Sequence, residues 1–266
     1  MAKIIVFTDI HIRAEGQRII GLDPAARFAQ GLAHAARLHP DAACAVLMGD
    51  LADTGVRAEY EILRRILADA PWPVIPMMGN HDNREVFRQV FPEAPRDPNG
   101  FVQAVRDLGG VRLITLDTLD PSTEPHHGGR LCPKRLDWLK AALAQAQGQG
   151  CLVFLHHPPF DTGFAGMDRI GLHNAAELRD LLASGPVTHV FAGHIHRTIT
   201  ATVDGLPMTV FKSPCHQMPM MLGAEGSGHS VPEPGAYGIL TTRGPSVVVH
   251  FEDFTLPETA VGQSAV

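Results

Sequence analysis

Short runs of apolar, often β-branched residues alternate along most of the chain with stretches that carry apolar residues at helical spacing. The runs lack polar alternation, which is typical of buried strands. Six strands are predicted, at residues 4–7, 43–48, 74–78, 111–116, 151–155 and 187–192. Helices are predicted at 25–38 and 57–69 and from about Pro133 and Asn174 onward. This alternation of strand and helix predicts an α/β core.

The pattern changes in the last quarter of the chain, where two pairs of short strands are separated by turn signals. The predicted hairpins comprise residues 198–211, with Asp204 and Gly205 at the turn, and residues 236–251. Residues 214–235 between them are rich in Gly, Pro and Met and have no regular pattern, which predicts a long loop. We therefore expect an antiparallel addition to the α/β core.

Candidate metal ligands follow five of the six predicted strands at the point where each strand ends. Because the carboxyl ends of strands are where open α/β sheets bind ligands, we expect these side chains to lie together. Asp9 and His11 are two residues apart, so an extended chain would place both on one face, and His194 and His196 repeat this spacing. Gly79 is expected to let the chain turn sharply before Asn80. The strand-end residues are Asp9, His11, Asp50, Asn80, His156, His194 and His196.

Carboxylate, amide and imidazole donors of this kind suit Zn, Mn, Fe, Co or Ni better than Ca or Mg alone. Seven ligands are too many for one ion but about right for two ions that share a carboxylate. Two metal ions about 4 Å apart form a known clamp for phosphoryl chemistry. The sequence thus predicts a dinuclear metal site.

Other polar residues near the strand ends are weaker candidates for metal ligands. Asp53 either orients a neighbouring ligand or begins the next turn. Asp117 follows a strand without a surrounding motif and is interpreted as structural. His126 and His127 lie in a predicted loop and are expected to be solvated, and His157 is expected to be structural.

Composition narrows the classes of function. The formal net charge of −6 argues against a protein that grips long stretches of nucleic acid, whereas it permits a small phosphorylated substrate. The 15 His residues favour metal or acid–base chemistry. Four scattered Cys residues suit a reducing compartment, and no apolar run has the length of a membrane span. We expect a soluble cytoplasmic protein without membrane insertion.

The spacing of these blocks resembles that of the calcineurin-like metallophosphoesterase superfamily. The matching blocks are Asp9-x-His11, Gly49-Asp50-x-x-Asp53, Gly79-Asn80-His81-Asp82, His156 and Gly193-His194-x-His196, in the family's order. The resemblance implies a four-layer α/β/β/α sandwich and hydrolysis by attack of metal-bound hydroxide. It implies one metal held by Asp9, His11, Asp50 and His196, and another held by the bridging Asp50 with Asn80, His156 and His194. His81 would then face the phosphate as a catalytic residue rather than a ligand.

Within that family the chain most resembles bacterial class III cyclic nucleotide phosphodiesterases and glycerophosphodiesterases. Residues 9–13, 156–159 and 213–217 carry this likeness. It implies small phosphodiester substrates, with Arg13 and His216 as possible substrate contacts beside His81. In such relatives the C-terminal region often forms an oligomer interface. Met218–Met221 is therefore either an interface between copies or a loop packed over its own domain.

These expectations define a single domain over residues 1–266. Residues 1–196 would form the metal-ligand core, 197–254 the hairpins with a cap or oligomer loop, and 255–266 a frayed tail. A phosphodiesterase is the leading hypothesis, in which Asp50, Asn80 and His81 are catalytic. A phosphomonoesterase acting on nucleotides or proteins is the alternative that the metal set does not separate. A non-catalytic scaffold is disfavoured because no ligand of the pattern is missing.

Overall fold

The computed structural model describes residues 2–146, 148–244 and 246–257, so most of the predicted tail lies outside the described residues. The helices are α1 Pro24–Leu38, α2 Arg57–Leu67, α3 Arg84–Val90, α4 Pro133–Ala144, α5 Ala165–Asp168 and α6 Ala175–Ala183. The strands are β1 Ala2–Phe7, β2 Cys44–Leu47, β3 Val74–Pro76, β4 Ala104–Leu108, β5 Val111–Leu116, β6 Gly150–Leu155, β7 Val187–Ala192, β8 Ile199–Val203, β9 Leu206–Val210, β10 Tyr237–Arg243 and β11 Ser246–Glu252. Within these ranges no helix combines the length and the apolar character that crossing a bilayer requires.

The strands form two sheets, each with parallel strands at its centre. One sheet has the order β11-β10-β1-β2-β3, and the other has the order β4-β5-β6-β7-β9-β8. Strands β1, β2 and β3 run parallel, as do β5, β6 and β7. The carboxyl ends of the parallel strands therefore meet at one edge of each sheet.

Three apolar clusters show how the layers stack. The central cluster lies between the sheets and joins Val6 and Val46 of the first sheet to Phe154 and Phe191 of the second. A second cluster packs α1, α2 and α3 on the first sheet, and a third packs α4 and α6 on the second sheet. This arrangement confirms the predicted four-layer α/β/β/α sandwich.

Both predicted hairpins are present, and each completes one of the sheets. Strand β10 pairs antiparallel with β1, so that Val6 lies opposite Gly238, and β11 forms the edge beyond it. Strand β9 pairs parallel with β7, and β8 forms the other edge. The C-terminal quarter is thus built into the sandwich rather than placed beside it.

The structure differs from the predicted elements in the length of one strand and in elements that were not predicted. Strand β3 ends at Pro76, so Met77 and Met78 of the predicted strand 74–78 belong to the following loop. Strand β4 was missed because it is an edge strand with exposed residues at its centre and no apolar alternation. Helix α3 was missed because it is short, although Asn83 caps it by accepting hydrogen bonds from two backbone amides.

Candidate metal centre

The two sheets bring all seven predicted ligands to one place. Asp9 and His11 follow β1, Asp50 follows β2, and Asn80 lies beyond β3. His156 follows β6 in the second sheet, and His194 and His196 follow β7. The site therefore lies where the carboxyl ends of both sets of parallel strands meet, as the strand-end pattern predicted.

Five of these seven residues have a left-handed backbone conformation. The φ angles are 53° at Asp9, 50° at His11, 48° at Asp50, 70° at His194 and 53° at His196. Few non-glycine residues adopt positive φ, and such strain persists only where the surrounding structure imposes it, often at functional sites. The D-x-H pair and the H-x-H pair do converge. Our expectation that an extended backbone aligns the two side chains of each pair is wrong.

Glycines before the ligands are required by close packing. A Cβ atom at Gly79 would lie 2.2 Å from Oδ1 of Asp50, and one at Gly193 would lie 2.0 Å from Oγ1 of Thr8. Gly79 does not have a positive φ, so the sharp turn expected there is not the reason for this glycine. Its missing side chain instead lets the loop after β3 lie against the carboxylate that follows β2.

One group of donor atoms is formed by residues after β1, β2 and β7. Nε2 of His11 lies 3.1 Å from Nε2 of His196 and 3.5 Å from Oδ2 of Asp50. Nε2 of His196 lies 3.3 Å from Oδ1 of Asp9. Two imidazole nitrogens and two carboxylates therefore face one point.

A second group lies on the other side of Asp50. Nε2 of His156 is 3.3 Å from Oδ2 of Asp50 and 3.1 Å from Oδ1 of Asn80. The rings of His156 and His194 have their centroids 5.3 Å apart. Nε2 of His194 is buried and has no hydrogen-bond partner among the described residues. Oδ2 of Asp50 thus faces both groups.

Hydrogen bonds behind the rings fix which nitrogen faces inward. Nδ1 of His156 donates to the carbonyl of Met48 at 2.8 Å, and Nδ1 of His196 donates to the carbonyl of His216 at 2.9 Å. A carbonyl accepts only, so these Nδ1 atoms carry protons and each ring presents its Nε2 to the site. Such partners are the usual means of orienting a metal-ligating imidazole.

Comparisons with known proteins identify the family of this chain. The family model described as calcineurin-like phosphoesterase matches residues 2–198. The chain belongs to the calcineurin-like phosphoesterase family. It is 42% identical over 250 residues to a Rhodopseudomonas palustris protein named "probable cyclic nucleotide phosphodiesterase", covering 93% of this chain and 91% of that one. It is 33% identical over 224 residues to the glycerophosphodiester phosphodiesterase GpdQ of Enterobacter lignolyticus, covering 79% and 78% of the two chains.

A solved structure shows the same fold at low sequence identity. The dimetal phosphatase from Danio rerio superposes with a TM-score of 0.67 and 16% identity, covering 93% of this chain and 98% of that chain. At this identity the likeness concerns the fold alone.

The electrostatics of this phosphoesterase site fit a bound cation. Burial would raise the pKa of Asp50, but the neighbouring His156 and His81 hold it well below its usual range. Burial would likewise raise the pKa of Asp9, yet His196 keeps it below its usual range. Two buried carboxylates thus stay ionised side by side. With the inward-facing Nε2 atoms of the proposed ligands and the unpartnered Nε2 of His194, these carboxylates form a donor set that fits metal ions, because a bound cation would take the place of the imidazole protons.

Above the donor groups the phosphoesterase has an open cavity of about 290 Å³. His81 lines this cavity. Its Nδ1 donates a hydrogen bond to the carbonyl of Asp53 at 2.7 Å, so Nε2 takes no part in that bond. His216 lines the cavity from the opposite strand-end loop, and its Nδ1 is buried without a hydrogen-bond partner among the described residues.

Asp53 and Arg13 form a support behind the first donor group. Oδ1 of Asp53 accepts from Nδ1 of His11 at 3.1 Å, so Asp53 orients a neighbour, one of the two roles considered for it. Arg13 lines the cavity, but its Nε donates to Oδ2 of Asp53 at 2.7 Å. The guanidinium of Arg13 therefore binds the carboxylate of Asp53, which in turn holds His11.

Among the residues interpreted as structural, Asp117 and His157 behave as expected. Asp117 is buried in an ion pair with Arg84 at 2.7 Å. His157 accepts at Nδ1 from Thr118 at 2.8 Å and donates from Nε2 to the carbonyl of His127 at 3.1 Å. Burial lowers the pKa of His157 to about 3, so its ring is neutral. Both of its ring nitrogens are thus engaged in hydrogen bonds within the protein.

His127 was wrongly expected to be solvated. His126 is exposed, but the ring of His127 stacks on His81 with centroids 4.9 Å apart and an interplanar angle of 24°. Its Nδ1 lies 3.0 Å from Nδ2 of Asn80. A φ of 76° at His127 turns the ring inward, and only the two glycines after it hinted at this tight loop.

The residues of the Met-rich run Met218–Met221, which we considered as an oligomer surface, differ in their exposure. Met218 is 3% exposed and packs in the core of the second sheet, which contradicts a surface role. Met220 and Met221 are exposed. The run is thus partly a loop packed over its own domain.

Proposed function

We propose that this protein is a dinuclear metal-dependent phosphodiesterase that hydrolyses small phosphodiesters, with cyclic nucleotides and glycerophosphodiesters as the candidate classes. The observation that carries this proposal is the pair of donor groups that share Asp50 at the base of an open cavity. The names of two relatives, a cyclic nucleotide phosphodiesterase and a glycerophosphodiester phosphodiesterase, support the choice of a diester.

In this proposal Asp9, His11, Asp50 and His196 hold one ion. Asp50, Asn80, His156 and His194 hold the other. Imidazole, carboxylate and amide donors permit Fe, Mn, Zn or Co. When bound, such ions act as Lewis acids toward a phosphate group and lower the pKa of water. Asp50 is the residue whose loss would disturb both sites.

His81 is the proposed acid–base group of the chain. The bond from its Nδ1 to the carbonyl of Asp53 fixes the ring and fixes one proton at Nδ1. Nε2 is then free to carry the proton that stabilises a phosphate oxygen or is delivered to the leaving alcohol. His216 lines the cavity as a second proposed substrate contact, whereas Arg13 acts mainly through Asp53.

The test is a rate comparison on metal-reconstituted protein. We expect a higher kcat/KM for the diester bis(p-nitrophenyl) phosphate than for the monoester p-nitrophenyl phosphate, and loss of both activities after EDTA treatment. Asn80→Ala, purified in the same way, is the control for a contaminating esterase. Cyclic AMP and glycerophosphocholine would follow as natural diesters.

The other outcomes of this comparison have definite meanings. A metal-dependent preference for the monoester would contradict the proposal and favour a phosphomonoesterase. Activity that Asn80→Ala retains in full would remove the proposed metal site from the reaction. A protein that binds metal but hydrolyses neither substrate would have to be considered a non-catalytic scaffold.

A further inference from the structure

The side-chain amide of Asn80 has two ends, and only the oxygen end can bind a metal ion. Oδ1 lies 3.1 Å from Nε2 of His156, whereas Nδ2 lies 3.0 Å from Nδ1 of His127. An amide rotated by 180° would present the NH₂ group to the donor cluster, and an NH₂ group has no lone pair to offer a cation. Some feature of the protein must therefore select the orientation with oxygen inward.

We propose that His127 is the positioning residue that selects this orientation of Asn80 and, through it, sets the affinity of the metal site to which Asn80 belongs. An Nδ1 that accepts a hydrogen bond from Nδ2 of Asn80 holds the NH₂ group away from the donor cluster and leaves Oδ1 facing it. The inference rests on the proposed function because it takes Asn80 as a metal ligand.

The surroundings of His127 explain how one ring can perform this task. Thr118 donates to Nδ1 of His157, and Nε2 of His157 then donates to the carbonyl of His127. Each group in this chain donates to the next one. The last hydrogen bond holds the backbone carbonyl of His127 from the buried side. The ring of His127 stacks on His81, with centroids 4.9 Å apart, whereas the exposed His126 meets it only at a tilt of 54°.

The loop after His127 is also tightly fixed. A Cβ atom at Gly129 would lie 2.4 Å from Nδ1 of His157, so only glycine allows the loop to approach this closely. The backbone amide of Gly129 donates to the carbonyl of Gly171, and the amide of His173 donates back to the carbonyl of Gly129. His127 therefore projects from an anchored turn rather than from a free loop.

Two substitutions separate the acceptor from the stacked ring. His127→Asn places an amide oxygen near the position of Nδ1 and tolerates a left-handed backbone. His127→Phe keeps a ring that stacks on His81 but removes the acceptor, and His127→Ala removes both without adding bulk. His126→Ala is the matched control, since His126 is an exposed neighbour without a contact to Asn80.

The measurement is a titration of chelator-treated protein with Mn²⁺, in which the electron paramagnetic resonance signal of free Mn²⁺ gives the dissociation constant of each site. Loss of an outer partner of a metal ligand typically weakens affinity by about 10- to 100-fold. We expect such a loss at one site in His127→Phe and His127→Ala, near-wild-type affinity in His127→Asn, and no change in His126→Ala. Circular dichroism checks that each variant is folded.

Two results would overturn the inference. Wild-type affinity in both His127→Phe and His127→Ala would show that the amide orients itself without an acceptor. An affinity in His127→Asn as weak as in His127→Ala would show that the ring, and not the acceptor, matters. Asn80→Ala separates these from a wider failure, because unchanged Mn²⁺ binding in that variant would contradict the ligand role of Asn80 and the proposed function with it.

Discussion

At the scale of single residues, His81 lies beside the imidazoles proposed as ligands but belongs to neither of the two proposed ligand sets. Its Nδ1 is tied to a backbone carbonyl of the Asp53 loop, its ring meets His11 edge-on with centroids 4.7 Å apart, and it lines the cavity. In the proposed function it contacts the substrate while the donors around Asp50 hold the ions. This separation allows the two functions to be tested independently.

We predict that His81→Ala lowers kcat for the diester by about 100- to 10,000-fold, the usual contribution of a positioned acid–base group, while both metals remain bound. The measurement is steady-state kinetics together with the metal content of the dialysed protein. His126→Ala serves as the exposed control and should keep wild-type kinetics. Full activity in His81→Ala would show that the proton comes from elsewhere, and loss of metal would make His81 a ligand.

The residue types of the site could be predicted from the sequence, but their conformations could not. Asp9, His11 and Asp50 were identified because each follows an apolar strand. Their positive φ angles are imposed by contacts with other strands, which no local pattern records. His127 was missed for the same reason, since its contact with Asn80 spans 47 positions of the chain.

At the scale of elements, β7 carries a titratable group away from the proposed ligands. His189 donates or accepts through Nε2 with Oγ1 of Thr209 at 2.8 Å, and its ring stacks on Phe191 with centroids 4.4 Å apart. Burial lowers the pKa of His189 from 6.5 to about 4. The folded state therefore favours the neutral ring more strongly than the unfolded chain does.

The sign of the resulting pH dependence follows from the depressed pKa. The contribution of His189 is fully present above pH 6.5, is lost as the pH falls toward 4, and is then constant. Because the ring is partly exposed, we expect a loss of about 1–2 kcal/mol rather than the full value of the shift. His189→Gln keeps a polar side chain and removes the titration.

The check is urea unfolding of wild type and His189→Gln at pH 7.5 and pH 4.5, with chelator present so that metal release does not contribute. The free energy of unfolding should fall less in the variant than in the wild type between the two values. Equal losses in both proteins would show that His189 titrates normally. The other buried imidazoles are common to both proteins and cancel in the comparison.

The limits of the sequence at this scale lie in short and exposed elements. Strands such as β6 were predicted because full burial makes them continuous apolar runs, and helices such as α1 because one buried face imposes a period on their residues. Strand β4 is an exposed edge, and α5 has four residues, so neither leaves a pattern long enough to detect. The missed α5 matters for the site, because Met167 within it lines the cavity.

At the scale of the whole molecule, the proposed metal centre joins the two sheets. Asp9, His11, Asp50 and Asn80 come from the carboxyl ends of the first sheet, and the other three ligands come from the second. The apolar layer that contains Phe154 and Phe191 holds the sheets together along their length, but at this edge the contacts are polar and charged. Bound ions would thus link the sheets where the apolar layer ends.

We therefore predict that chelation loosens this edge and lowers the melting temperature. A metal present at 1,000 times its Kd stabilises the folded state by about 4 kcal/mol, which corresponds to roughly 10 °C for a chain of this size. The melting temperature should rise with added metal in wild type and rise less in Asn80→Ala, because that variant retains one complete set of donors.

Hydrogen exchange should then show where the stabilisation acts. On chelation, amides after β1, β2, β6 and β7 should exchange faster, whereas those of the β10–β11 hairpin should not. An unchanged melting temperature, or faster exchange spread evenly over both sheets, would contradict a link confined to the metal centre.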